Sequence, residues 1–444
     1  LLSQITIYRL MLYFLLVLFF AATILSIARI LPYDPLDIYL SGIYLGTICN
    51  LSNYLFSKLF KAKINFESAT ISALILTLIV GPSAFFDNIP ILTFVGTAAM
   101  ASKYIFAIKK KHIFNPVAIA VFLTALIFKT GASWWIGSIF TLPFILVGGI
   151  LVIAKLRRYE ILVSFLAVFF ASLILSQNIS VKHLLSSPIW FFALVMLIEP
   201  LTSPSTKKLQ ILFGGFVGVL YLLIPKIIPS FSYGLEASLL VGNLFTLVLS
   251  PNFNMILRFV KKEKIAKDTW TFYFEPMSNF EFTPGQYLEW TLPHRDPDSR
   301  GIRRYFTISS TPREKNIAIT IRASEKGSSL KSALLKIESK DQAESSGPQG
   351  EFILPKDKTF PVAFIAGGIG ITPFRSMIKH LLETEEKRDI TLFYSNKTLQ
   401  DIAFKELFEK ARMIGVKTVY IINARGERID KNMIKEKLPD YKRR

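Results

Sequence analysis

Arg304-Tyr305-Phe306-Thr307-Ile308-Ser309-Ser310 places a guanidinium, aromatic rings and hydroxyls along one extended segment. A guanidinium can hold a phosphate through charge-assisted hydrogen bonds, and a ring beside it can lie against a conjugated heterocycle. The segment therefore reads as a strand end built to hold a flavin. Downstream, Gly367-Gly368-Ile369-Gly370-Ile371-Thr372-Pro373-Phe374 reads as a glycine turn that opens a helix. Without Cβ atoms, Gly367, Gly368 and Gly370 let a dinucleotide pyrophosphate approach backbone N–H groups, with Thr372 and Pro373 at the helix start. Together the two segments describe electron transfer between a nicotinamide and a flavin.

The elements that must position these groups come in two textures. Of 444 residues, 51% are hydrophobic, too many for a soluble chain of this length. Apolar stretches run as Ile5–Ile30, Leu36–Phe60, Ser68–Phe86, Ile89–Ile108, Ile113–Phe128, Trp134–Ala154, Ile161–Ser176, Leu184–Ile198, Ile211–Ile228 and Leu235–Phe259. Most approach the ~20 residues a bilayer crossing needs, which predicts about ten spans over residues 1–260. Basic residues alternate between the loops. Lys58, Lys61, Lys63, Lys103, Lys109, Lys110, Lys111, Lys155, Arg157, Arg158, Lys207, Lys208, Arg258, Lys261, Lys262 and Lys264 fall on one set, whereas Arg29, Lys129, Lys182 and Lys226 fall on the other. By the positive-inside rule this predicts a multi-pass protein of a bacterial-type inner membrane, both termini and the redox module being cytoplasmic. The net charge of +20 follows from that topology and from adhesion to anionic lipid, so nucleic acid is not an expected partner. The single cysteine, Cys49, excludes a disulfide framework or a four-cysteine iron–sulfur cluster within this sequence, and no metal site is expected. The first span has no small-residue cleavage site and can itself target the chain. The sequence is expected to be cut at both ends.

Past Phe259 short β-type runs appear at Trp270–Phe274, Gln286–Leu292, Phe306–Ser309 and Ile317–Arg322, separated by turn signals. They predict an antiparallel β-barrel over 261–355, which contains the flavin-holding segment Arg304–Ser310. Over 356–444 the pattern becomes α/β, with parallel strands Val362–Ala366, Ile390–Tyr394 and Lys417–Ile422 and helices near Phe374–Glu385 and Ala403–Ile414. This part resembles the ferredoxin–NADP reductase superfamily over about the last 190 residues. The resemblance implies that Arg304 contacts the flavin diphosphate, that Phe306 lies against the isoalloxazine and that the Thr307 hydroxyl reaches toward N5. It makes Thr307 and Phe306 the expected catalytic residues, with Tyr305 and Ser309 as flanking flavin contacts. A register starting at Arg303 would put Phe306 where the hydroxyl belongs. Gly327-Ser328-Ser329-Leu330 opens an expected helix whose N–H groups and hydroxyls would bind the pyrophosphate, and Gly347-Pro348-Gln349-Gly350-Glu351-Phe352 resembles the family's link to the nucleotide domain. The family's last strand and terminal segment are absent, read as truncation. NADH and NADPH both stay open, with Lys397 in Ser395-Asn396-Lys397 as the residue a 2′-phosphate would meet.

The membrane part carries Lys111-His112-Ile113-Phe114-Asn115-Pro116 and Glu199-Pro200-Leu201-Thr202-Ser203-Pro204-Ser205-Thr206, followed by Gly214, Gly215 and Gly218. It is similar to the membrane flavoprotein subunit shared by the Rnf complex and the sodium-pumping NADH:quinone reductase, best over Lys103–Leu257. Many members attach FMN covalently through the threonine of a Ser-Gly-Ala-Thr element. Here the corresponding loop, Gln177–His183, lacks it, so a membrane FMN would be non-covalent. Paired haem-ligating histidines are missing too, since the sequence has only His112, His183, His294 and His380. The expected function is a membrane-bound oxidoreductase that moves electrons from NAD(P)H through FAD to a quinone, a membrane flavin or a protein carrier, in company with other subunits and with ion movement as one coupling. The other reading is a transporter or channel sensed by a reductase-like module, on the strength of Gly81-Pro82 and of Pro225 to Pro229.

Overall fold

The computed structural model describes residues 5–443 except 63, 83, 109–110, 177–179, 229–232, 250–254, 279, 299–300, 324–326 and 340. Lys63, Lys109, Lys110, the start of the 177–183 loop and Pro229 thus lie outside the described residues. The chain divides into two units, Leu1–Phe253 and Asn254–Arg444.

The first unit is helical. Helices α1 (Ile7–Ile27), α2 (Pro35–Leu59), α3 (Phe66–Ile79), α4 (Phe85–Ile105) and α5 (Pro116–Phe128) come first, with a two-residue hairpin of β1 (Ala107–Ile108) and β2 (Lys111–His112) before α5. Then follow α6 (Leu142–Leu156), α7 (Tyr159–Ser176), α8 (Val181–Leu185), α9 (Ile189–Phe191) with a π-helical turn Phe192–Met196, α10 (Lys207–Ile227) and α11 (Gly234–Leu249). Side-chain oxygens of Thr6, Asp34, Asn65 and Asn115 accept from backbone N–H groups and start α1, α2, α3 and α5. The helices are apolar on both their buried and exposed sides: Leu15 and Leu18 are buried, while Val17, Ile24, Val147 and Val163 face outward. That is the pattern of helices solvated by lipid. Two of them, Ile7–Ile27 and Lys207–Ile227, are long and apolar enough to cross a membrane by length and composition.

The ten uniform spans expected from hydropathy are corrected in detail. The stretch at 68–86 stops being helical at Ile79, before Gly81-Pro82, and the stretch at 134–154 becomes helical only at Leu142. The intervening segment caps the broken end of α3. Trp134 N donates to Ile79 O at 2.9 Å, Ile136 N to Leu78 O at 3.3 Å and Trp135 Nε1 to Thr77 O at 2.8 Å. A helix that ends inside an apolar core must hand its last carbonyls to other donors. The stretch at 184–198 is likewise split into α8, α9 and the π turn before Pro200.

Packing shows a duplication that no sequence period announces. Helix α2 packs on α4 as α7 packs on α10, α4 on α5 as α10 on α11, and α1 on α3 as α6 on the α9–π segment. The two five-part sets meet through α1 with α6 and α5 with α11.

The second unit begins with β3 (Met255–Ala266), β4 (Thr269–Pro276), β5 (Tyr287–Thr291), β6 (Arg303–Thr307), β7 (Ile317–Arg322), α12 (Ser329–Leu335) and β8 (Gln342–Ser345). They form one six-stranded antiparallel sheet in the order β6-β5-β8-β3-β4-β7. Past its edge strands an isolated bridge joins Ile308 to Ile319, but no ladder between β6 and β7 closes the sheet among the described residues, so the expected barrel is an antiparallel sheet here. The apolar run Met255–Phe259, assigned to the last membrane span from hydropathy, is the start of β3. Its residues alternate buried and exposed, and Met255, Leu257 and Phe259 join the β core with Phe272, Phe274 and Trp290. The first unit accordingly ends before β3 rather than at residue 260.

After the β domain, β9 (Val362–Gly367), α13 (Thr372–Glu383), β10 (Ile390–Asn396), α14 (Lys405–Lys410), β11 (Val416–Ile422) and α15 (Lys431–Lys437) follow. The strands form a parallel sheet in the order β11-β10-β9. One face is covered by residues such as Phe374, Met377 and Phe408, the other by Leu438 with Met433 and Ile434. Layering on both faces explains the continuous Ile390–Tyr394 apolar run.

Candidate functional site

Strand β6 lies at the edge of the antiparallel sheet, paired only with β5 along its ladder. Alternation puts Arg304 and Phe306 on one side of it and Arg303, Tyr305 and Thr307 on the other. The Arg304 guanidinium is largely buried and held in a fixed frame. It donates to Gly301 O at 2.9 Å, Arg303 O at 2.6 Å, Asp298 Oδ1 at 2.6 Å and Ser328 Oγ at 3.3 Å. Ser329 N donates to the second Asp298 oxygen at 3.2 Å, and Ser329 Oγ accepts from Asp298 N at 2.9 Å and pairs with His294 Nε2 at 2.9 Å. Arg304, Ser328 and Ser329 thus converge, with exposed Gly327 just ahead of them. Asp298 and His294 join the same cluster. Neither is a predicted site residue, because nothing in their spacing tells which strand end a loop carboxylate will meet.

Phe306 is half-buried and packs against the β core. Tyr305 is 62% exposed and meets Tyr287 edge-on, ring centroids 5.6 Å apart. Thr307 is half-buried and sits across from Tyr287 in the ladder. Ser309 does not join this surface. It is fully buried, and its hydroxyl accepts from Thr320 Oγ1 at 3.0 Å, so its side chain belongs to the β core.

The glycine turn differs from Gly285, Gly350 and Gly415 of this unit, where an added Cβ would press on neighbouring atoms. A Cβ built on Gly367, Gly368 or Gly370 meets no heavy atom within 4 Å, and Gly368 has φ +48°. No internal packing demands glycine at 367 or 370; an open cradle remains that side chains would fill. Gly350, with φ +100°, has an ordinary structural reason, since a Cβ there would come within 2.8 Å of the Tyr287 ring. Thr372 is buried at the start of α13, with Pro373 in its first turn and a 3₁₀ turn Gly368–Ile371 before it. The cluster around Arg304 gathers a guanidinium, two hydroxyls and a backbone N–H, the kinds of group that hold phosphate, with the Asp298 carboxylate paired among them.

Helix α13 is tied to the segment leaving β6. Arg375 NH1 donates to Ser309 O at 2.5 Å and to Glu314 Oε2 at 2.6 Å, while NH2 donates to Glu314 Oε1 at 3.1 Å. Lys379 Nζ adds a bond to Glu314 Oε1 at 2.6 Å, Ser376 Oγ one to Ser310 O at 2.5 Å, and Thr311 Oγ1 one to Glu383 Oε2 at 2.6 Å. Burial pushes the Glu314 carboxyl up, but hydrogen bonds and charge from Arg375 and Lys379 outweigh it and hold the group below the usual carboxylate range. A lowered folded-state pKa gives stability that is complete above the unfolded glutamate value of ~4.3 and is lost as pH falls through the folded value. Unfolding midpoints measured from pH 7 to pH 3 should therefore fall less steeply for Glu314→Gln than for the unaltered protein; parallel curves would refute the linkage.

In the helical unit the two sequence motifs meet. Glu199 Oε1 pairs with His112 Nε2 at 3.2 Å, and Oε2 accepts from Asn115 Nδ2 at 2.9 Å and Thr202 Oγ1 at 3.0 Å. Asn243 of α11 accepts from Asn115 N at 2.8 Å and donates to Thr202 O at 3.1 Å. Arg158 caps the same loop through Ser203 Oγ at 2.7 Å and Pro204 O at 2.6 Å. A separate cavity of about 210 Å³ lies beside the broken end of α3, lined in part by Val80, Gly81, Asn88, Thr124 and Ser133.

Comparison with known proteins divides the chain in the same places. Residues 127–253 match the NQR2, RnfD, RnfE family, 256–353 the oxidoreductase FAD-binding domain and 364–440 the oxidoreductase NAD-binding domain. Over 131 residues the chain is 34% identical to the phenol hydroxylase P5 protein of Acinetobacter pittii, covering 29% of this chain and 36% of that one. Over 155 residues it is 31% identical to the reductase component of propane 2-monooxygenase from Mycolicibacterium smegmatis, covering 34% and 42%. The crystal structure of ferredoxin-NADP+ reductase from Plasmodium falciparum with 2'P-AMP aligns with a TM-score of 0.37 at 19% identity, covering 43% of this chain and 81% of that one. The chain spans about two-fifths of the length of the curated relatives it matches, from 36% to 44%. Its second unit carries FAD-binding and NAD-binding oxidoreductase domains homologous to those of reductase components.

Proposed function

We propose that this chain is a membrane-bound, flavin-dependent NAD(P)H oxidoreductase that delivers electrons to an acceptor at the membrane. The observation that carries the reading is the convergence of Arg304, Ser328 and Ser329 in the same compact unit as the open turn Gly367–Gly370. Bound FAD would supply the chemistry that side chains lack, accepting a hydride and releasing electrons singly. In this reading Arg304 and the Ser328 and Ser329 hydroxyls hold the diphosphate, and Phe306, on the Arg304 side of β6, lies against the ring. The Thr307 hydroxyl lies where the hydride arrives, Gly367, Gly368 and Gly370 admit the nicotinamide dinucleotide, and Thr372 and Pro373 set the helix behind them. Match to the NQR2, RnfD, RnfE family supports a membrane acceptor: a quinone, a non-covalent FMN in the helical unit, or a carrier on a partner subunit. The basic loops support a cytoplasmic position for the redox unit.

The purified protein should be yellow and should release FAD on acid precipitation. Flavin that stays with the denatured polypeptide would contradict the non-covalent site. Steady-state NAD(P)H oxidation by the full-length protein in lipid, with a panel of quinones and protein acceptors, tests the reaction itself. A second reading, a transporter under redox control, is favoured by the capped half-helix α3 and the cavity beside it. Ion flux that persists when flavin reduction is blocked would select it.

A further inference from the structure

We propose that Arg375, acting with Glu314, is a positioning residue that fixes the glycine turn against the Thr307 end of β6. This rests on the oxidoreductase reading and adds a role for two residues outside both binding motifs. The chain of contacts is short. Arg375 is three positions past Thr372, where α13 leaves the turn, and Ser309, whose carbonyl Arg375 holds at 2.5 Å, is two positions past Thr307. The guanidinium is also bidentate on Glu314, at 2.6 and 3.1 Å, with both side chains mostly buried at 8% and 19% exposure. Glu314 is itself anchored, accepting from Thr311 N at 2.7 Å and from Lys379 Nζ at 2.6 Å. A planar fork bound at both ends tolerates little sliding or rotation, unlike a single lysine contact.

The consequence is geometric. Hydride transfer requires the donor and acceptor atoms within ~3–3.5 Å, and a displacement of about 1 Å can cost ~100-fold in rate. Ser376, Thr311 and Arg313 add hydrogen bonds across the same seam, but among the described residues only Arg375 holds both the Ser309 carbonyl and the Glu314 carboxylate. Loosening it should alter where the nucleotide sits relative to the flavin without removing any group that touches either one.

The test uses the full-length protein and stopped-flow flavin bleaching over a range of NADH and NADPH concentrations. Glu314→Gln and Arg375→Met should lower the limiting reduction rate by about 10–100-fold, with flavin content unchanged and the apparent nucleotide Kd altered less than about three-fold. Arg375→Lys should recover part of the rate. In protein stripped of flavin, amide exchange across Ile308–Thr311 and Gly368–Thr372 should accelerate at least about ten-fold in Glu314→Gln, a readout independent of turnover. Flavin-loaded variants that reduce at the wild-type rate overturn the proposal. So do Arg375→Met and Glu314→Gln variants that both fail to fold with flavin, because the pair would then serve the fold alone. Wild-type flavin that neither nucleotide reduces would instead remove the underlying oxidoreductase reading.

Discussion

Gly368→Val is expected to leave FAD bound while lowering its rate of reduction by NAD(P)H at least about 100-fold. Two properties of the position produce this split. The backbone at Gly368 has φ +48°, so a β-branched residue is strained there, and a Cβ would project into space with no heavy atom within 4 Å. The added Cβ therefore meets no neighbour inside the protein, and the strain of ~1–3 kcal/mol is within what a domain can absorb. The valine side chain would instead occupy the cradle through which a pyrophosphate approaches the turn. Gly350→Val is the contrast: its Cβ would meet the Tyr287 ring at 2.8 Å, so stability should fall rather than nucleotide binding alone. The measurement is stopped-flow bleaching on full-length protein with flavin content determined in parallel. A Gly368→Val variant that is folded and reduced at the wild-type rate would mean the nucleotide does not use this turn.

The C-terminal architecture was legible because its signals are local. The β-type run Ile317–Arg322 and the run Ile390–Tyr394, each buried almost throughout, follow from one strand's surroundings, and the glycine turn follows from backbone chemistry at four adjacent residues. The helical unit was legible in composition but not in detail. Hydropathy counts apolar residues without knowing whether they are helical, so Trp134 and Trp135, which cap α3 from a loop, were read as part of a span. Met255–Phe259 deceived the same way, since the inward residues of β3 are as apolar as a membrane helix.

The site divides along the same line. Arg304, Ser328 and Ser329 were found from motif order, and the structure brings them together. Ser309 was included because it stands next in the motif, yet strand twist turns its hydroxyl onto Thr320. Asp298, His294, Arg375 and Glu314 were missed for a common reason. Each acts through a partner distant in sequence, from Asp298–Ser329 at 31 positions to Glu314–Arg375 at 61, and no periodicity links such positions. A charged residue on the buried side of α13 was the one available hint, because an arginine is rarely buried without a partner.

Arg304→Ala should weaken FAD retention by about one to two decades. A charge-assisted contact to phosphate contributes ~1.5–3 kcal/mol, which converts to roughly 10–150-fold in Kd. The structure places the expected loss at the upper end of that range, because Arg304 also neutralises Asp298, whose oxygen it holds at 2.6 Å. Removing the guanidinium leaves that carboxylate facing an incoming diphosphate, and like charges at this spacing repel. Arg303→Ala should change retention less than about three-fold, since Arg303 is exposed on the opposite side of the strand. Equilibrium dialysis or fluorescence titration of the flavin-free protein measures both, and equal losses would defeat the register that begins at Arg304. The charge argument adds a double variant. Arg304→Ala with Asp298→Asn keeps an oxygen for the Ser329 N–H but removes the repulsion, so it should bind FAD more tightly than Arg304→Ala alone. A double variant no better than the single one would mean that Asp298 orders the loop without acting on the diphosphate's charge.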